Sequence, residues 1–234
     1  MLQSLLLIFG MLASPPAWAA PGDEHVPNEP QAPVGLPRHI FKRLDHDYKT
    51  LHRRWEELGH VVPTVLELTK RVVCEEGGVL VNVATHQLTL LADPAEPELI
   101  AGLQAAGVPS LDIGHVVIGA PTTMLTLVTE VRDRVGSNRA IITNKGSIAL
   151  TPRGCDKGSG LTAAITDLGL QGLPIMAIGD ASNDLAMFGI ATIAVGVANS
   201  DDAVRASGAQ LTTASVGLGV AEALRRFLPG ATPG

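Results

Sequence analysis

The sequence predicts an α/β protein whose sheet is largely parallel and covered by helices on both faces. Three observations carry this. Short apolar runs of strand character alternate with helix-length amphipathic segments between Val79 and Phe227, the order that produces parallel sheets flanked by helices. Gly and Pro punctuate the junctions between them. Leu173 to Ile178 is a continuous apolar run, as a strand buried on both faces has to be.

In chain order, residues 1–20 come first as a separate block. Leu5 to Ala13 is apolar and is followed by Pro15-Pro16 and Ala17-Trp18-Ala19, a pattern like that of a secretory signal cleaved after Ala19. The run is too short for a stable membrane span. Met1 to Ser4 carries no Lys or Arg, so the block reads equally as an extension upstream of the true start. Prolines at 21, 27, 30, 33 and 37 make residues 21–37 an extended linker. From Arg38 to Leu58, apolar residues at Ile40, Phe41, Leu44, Tyr48, Leu51 and Trp55 fit an amphipathic helix ending at Gly59. Pro63 interrupts the next apolar stretch, His60 to Leu68.

Val79–Val83 and Gln87–Leu91 predict a hairpin, and Asp93–Gly107 a helix with Pro94 early and Gly107 at its stop. The alternation then runs through strand Val116–Gly119, helix Thr122–Val135, and strands Ala140–Thr143 and Ser147–Leu150 around Asn144-Lys145-Gly146. Helix Gly158–Leu168, strand Ile175–Ile178, a helix from Asn183, strand Thr192–Val197 and helix Val216–Phe227 complete it.

A chain of 234 residues holds two domains at most. Its 46% hydrophobic content excludes wholesale disorder, and 3% aromatic residues disfavour a stacking surface for single-stranded nucleic acid. A net charge of −6 without a basic run argues against a nucleic-acid partner. Cys74 and Cys155 have no partner at metal spacing and read as ordinary thiols.

The chemistry concentrates in Gly179-Asp180-Ala181-Ser182-Asn183-Asp184. Asp180 emerges beyond the carboxyl end of its strand, where ligands bind in such sheets. Ser182 or Asn183 can cap the following helix, and Asp184 in its first turn converges on Asp180. Two hard oxygen anions so placed suit Mg²⁺. An Asp at a helix start is also a common cap.

The whole string Gly-Asp-x-x-Asn-Asp-x-x-Met, following a buried strand, resembles the fourth motif of haloacid dehalogenase-like (HAD) hydrolases, with Ala181 where that family often has Gly. Arg153 to Leu161 resembles the family's Lys-Gly motif, which implies that Lys157 opens a helix and stabilises charge on the nucleophile and the transferring phosphoryl group. Val73-Cys74-Glu75-Glu76-Gly77-Gly78-Val79-Leu80 is similar to the Glu-Asn-Gly-Gly/Ala entry of the Cof-type (type IIB) subgroup, and the αβαββ pattern of residues 93–150 to its small cap. Val197-Ala198-Asn199-Ser200 also resembles the family, implying that Asn199, with Asn183, lies by the phosphate. Asn199 is equally a good turn residue or helix cap.

The resemblance covers about residues 72–228. It implies a HAD-like Rossmannoid core from residues 38–92 and 151–229, a cap at 93–150, Mg²⁺ as cofactor and a small phosphorylated metabolite as substrate, such as a sugar phosphate or phosphoglycolate. It also implies a cytoplasmic protein, or an exported one if residues 1–19 are a true signal. The family further needs an Asp-x-Asp at the end of its first strand, one Asp forming an aspartyl-phosphate and the other serving as acid/base. Asp45-His46-Asp47 is the one such string in the chain, and His39 to Leu44 before it is no buried strand. Asp45 and Asp47 are thus nucleophile candidates that also read as a solvated helix face. Thr64 is the candidate for the second motif. Without a first strand the sheet is incomplete, with edges unsatisfied. Two readings stay open: a phosphatase, and an inactive or truncated relative that binds without turnover.

Overall fold

The computed structural model describes residues 69–144 and 146–227. The expectations for residues 1–68, including the signal-like block, the linker, the first helix, Asp45, Asp47 and Thr64, lie outside the described residues.

Strands β1 (Arg71–Cys74), β2 (Val79–Asn82) and β3 (Gln87–Leu90) form an antiparallel sheet. The cap segment follows, with α1 (Pro97–Ala105), β4 (Asp112–Ile113), β5 (Ile118–Pro121), α2 (Leu125–Arg134), β6 (Ala140–Asn144) and β7 (Ser147–Thr151). Its strands pair antiparallel in the order β4-β5-β7-β6. The chain continues through α3 (Lys157–Asp167), β8 (Met176–Gly179), α4 (Leu185–Phe188), β9 (Ile193–Gly196), α5 (Asp202–Ala206), β10 (Gln210–Leu211) and α6 (Val216–Phe227). Here β10, β9 and β8 are neighbours in a parallel sheet.

The expectation of a largely parallel sheet therefore holds for one of three sheets. Connection length is the reason: β2–β3 and β6–β7 are joined by turns, and parallel neighbours need a crossover of a dozen or more residues.

Period-2 alternation places the cores. In the cap, Ile118, Ala120, Ile148 and Leu150 point to one face and meet Leu99, Leu103, Val128 and Val131 from α1 and α2. Each fully buried Leu or Ile there contributes about 1.5–3 kcal/mol. In the parallel sheet, Ile178 and Val195 pack beneath α6 with Val220 and Ala223. Ala177, one residue along, faces the other way onto Leu161, Met187, Phe188 and Val204. Both faces of β8 are thus covered, which is why its sequence is unbroken in apolarity.

Several boundaries differ from the sequence reading for identifiable reasons. The cap helix begins at Pro97 rather than Asp93, and the carbonyls of Asp93 and Pro94 instead accept from the guanidinium of buried Arg139, at 3.2 and 2.7 Å. Arg139 also donates to the Glu96 carboxylate at 2.5 Å and to the Val116 carbonyl. Burial alone would raise the Glu96 pKa, but the hydrogen bond and charge of Arg139 leave it lowered. Strand β5 begins at Ile118 rather than Val116 because the Glu75 carboxylate takes the N–H groups of Val116 and Val117. The two-residue strands β4 and β10 and the short α5 are absent from the sequence reading. They are too short to show a period.

Candidate functional site

The site forms where β8 ends. Gly179 is the last strand residue, and a side chain there would put its Cβ 2.5 Å from Asp184 Oδ2. The missing side chain lets the Asp184 carboxylate fold back under the strand end. Its Oδ2 accepts the N–H of Asp180 at 2.8 Å and of Ala181 at 3.1 Å. Asp180 and Asp184 are both fully buried. The helix expected from Asn183 is a 3-10 turn at Ser182–Asp184 leading into α4. Neither Ser182 nor Asn183 caps it through its side chain.

Lys157 is the first residue of α3. Asp156 caps that helix, accepting the Ser159 N–H at 2.8 Å, while the Asp156 N–H donates to Ser159 Oγ at 3.0 Å. This reciprocal cap fixes the direction in which Lys157 leaves the backbone. At the next position, a Cβ on Gly158 would lie 2.5 Å from the Ala186 carbonyl oxygen. Glycine thus lets α3 press against α4, and Lys157 Nζ reaches Asp184 Oδ1 at 2.7 Å. Two buried carboxyl groups beside one lysine are hard oxygen donors of the kind that suits a divalent cation next to an anionic ligand.

Asn183 is the middle residue of the Ser182–Asp184 turn. Its Nδ2 donates to the Glu76 carboxylate at 3.1 Å, and its Oδ1 is buried with no hydrogen-bond partner among the described residues. A carboxylate only accepts, so the amide nitrogen has to face Glu76. Asn199 uses its Oδ1 to accept the Val216 N–H at 2.9 Å, the cap role at the start of α6. Cys155, whose Sγ donates to the Glu76 carbonyl at 3.8 Å, has its thiol pKa pushed up to about 11 by burial and by the nearby charges of Asp156 and Glu76.

Residues 110–224 match the family model of haloacid dehalogenase-like hydrolases. That stretch, just under half of the chain, is similar in sequence to haloacid dehalogenase-like hydrolases. The chain is 33% identical over 82 residues to a phosphoglycolate phosphatase of Methanothermobacter thermautotrophicus, a match covering 35% of the chain and 37% of that relative's length. Its fold is similar to a HAD-like hydrolase from Bacteroides thetaiotaomicron, with a TM-score of 0.63 at 18% identity, covering 82% of this chain and 91% of that one. A sugar phosphatase of HAD subclass IIB gives 0.60 at 15% identity, covering 84% and 93%.

HAD phosphatases generally use Mg²⁺, and the oxygens gathered here fit it in kind: two buried carboxylates and the buried Asn183 Oδ1. Among the described residues, no three His, Cys, Asp or Glu side chains gather in metal-binding reach. Such an ion would draw the rest of its shell from water and substrate, as Mg²⁺ commonly does.

Outside the expected set, Glu76 and Asp201 hold the site loop, and Glu75 beside Glu76 anchors the entry to β5. Glu75 and Glu76 lie in the string that resembles the Cof-type entry, but what they bind is set by chain segments far away. Asp201 accepts the Ser182 N–H at 2.7 Å. The only local trace of its role is the cap signal of Asp201 three residues before Val204.

Proposed function

We propose that this chain is a haloacid dehalogenase-like, Mg²⁺-dependent phosphatase of a small phosphate ester, such as a sugar phosphate or phosphoglycolate. The observation that carries it is the Lys157–Asp184 pair at 2.7 Å beside Asp180, at the carboxyl end of a parallel strand. In this reading the Asp180 and Asp184 carboxylates face the ion together, Asp184 being held in place by Lys157 and the loop amides. Asp184 orients Lys157, and Asn183 offers its amide to ion or phosphate. When bound, the metal would neutralise charge on the phosphate. Lys157 has three N–H donors, of which Asp184 takes one, so it can hold a phosphate oxygen through the others. The names of the phosphoglycolate and sugar phosphatase relatives support the substrate class.

Phosphate release from a panel of sugar phosphates and phosphoglycolate, with and without Mg²⁺, tests this. Equal rates for the unaltered chain and Asp180→Asn would remove the enzymatic reading. A second reading, a catalytically inactive relative that binds without turnover, is favoured by one observation: no Asp-x-Asp occurs in residues 69–227. Beryllofluoride, which mimics aspartyl-phosphate, should then leave the melting temperature unchanged, and a clear upward shift counts against that reading.

A further inference from the structure

Asp201 makes more bonds than a helix cap needs. Its Oδ1 accepts the Val204 N–H at 2.9 Å, the ordinary cap of α5. Its Oδ2 accepts the Ser182 N–H at 2.7 Å, and its own N–H donates to the Asp180 carbonyl at 2.9 Å. The loop is thereby held from two sides. The N–H groups of Asp180 and Ala181 end on Asp184, that of Ser182 ends on Asp201, and the Asp180 carbonyl is taken by the Asp201 backbone.

We infer that Asp201 is a positioning residue for Asp180: it fixes the backbone on which the Asp180 carboxylate is carried and so sets divalent-cation affinity without touching the ion. This rests on the metal reading above. A cap consumes one side-chain oxygen, and Ser or Asn serves as well as Asp. Bridging to a second N–H from the opposite side requires a second acceptor oxygen, which Ser lacks and which Asn replaces with an NH₂ that would face another donor. Outer-shell partners of this kind typically change metal affinity about 10- to 100-fold.

The test is calorimetric titration of Mn²⁺ into the full chain, with amide hydrogen exchange read at Ser182 and Val204. Asp201→Ser keeps the cap and removes the clamp. Its Mn²⁺ affinity should fall about 10-fold or more, with faster exchange at Ser182 and unchanged exchange at Val204; Asp201→Asn should behave alike. Asp180→Asn should abolish binding. Wild-type Mn²⁺ affinity in Asp201→Ser would overturn the proposal alone. Faster exchange at Val204 equal to that at Ser182 would also overturn it, by reducing Asp201 to a cap. If the unaltered chain binds no Mn²⁺, the metal reading falls and takes the proposal with it.

Discussion

At the scale of single residues, the Lys157–Asp184 pair decides how the site tolerates change. Asp184 is fully buried, and Lys157 has 12% of its side chain exposed. Replacing Lys157 by Met keeps the apolar stem and leaves a buried carboxylate with one oxygen unpaired. Breaking a buried pair in this way typically costs about 3–5 kcal/mol. Urea denaturation should show a loss of that order, and a change within experimental error would mean that Asp184 is better hydrated than its burial implies. Cys155 gives a second check. Its thiol is held protonated, and the thiolate is the reactive form, so a thiol-specific dye at pH 8 should label unfolded protein and spare Cys155 in the native state. The linkage has a definite sign. The raised pKa favours the protonated thiol in the fold, so this contribution is complete below the ordinary value of 9.0 and is lost as pH rises towards about 11.

The elements show how far local sequence carries. Strand β8 and helix α3 were legible because each has a strong local signature: unbroken apolarity in one, and the Lys-Gly string opening a helix-length segment in the other. The cap hairpin β6–β7 was legible from its turn residues. By contrast, the starts of α1 and β5 are set by Arg139 and Glu75, whose side chains capture backbone groups 23 to 46 residues away. No window of sequence contains both partners of such a bond. The contact of α3 with α4 is of the same long-range kind, yet it left a trace as Gly158. Gly158→Ala would place a methyl 2.5 Å from a backbone oxygen that cannot rotate away. The helices must then separate, at about 1–3 kcal/mol for overpacking of this kind. The Lys157–Asp184 distance should open with them. A crystal structure of the variant reads this directly, and an unchanged 2.7 Å pair would show that α3 can slide without moving its first residue.

At the scale of the whole molecule, the relation between cap and core runs through two adjacent carboxylates. Glu75 and Glu76 both have φ of 52°, a left-handed conformation that non-glycine residues adopt only when their surroundings enforce it. The turn sends their side chains to different places. Glu75 accepts the N–H groups of His115, Val116 and Val117 at 3.0, 2.7 and 3.0 Å, anchoring the entry to β5, while Glu76 receives Asn183 beside the buried carboxylates. Strand β6 of the cap also packs against the Ser182–Asp184 turn. Nothing in the local sequence distinguishes this from two solvated glutamates; the string's resemblance to the Cof-type entry marked the position without giving its job. Glu75→Gln isolates that job, since the amide keeps one acceptor oxygen and turns an NH₂ towards at least one of three donors. Charge-assisted bonds of this type are worth about 1.5–3 kcal/mol each. Amide exchange at Val116 and Val117 should accelerate about tenfold for every 1.4 kcal/mol lost, while exchange in β8 and β9 stays near its original rate. Uniform acceleration across the parallel sheet would mean instead that Glu75 stabilises the molecule globally and that cap and core open as one unit.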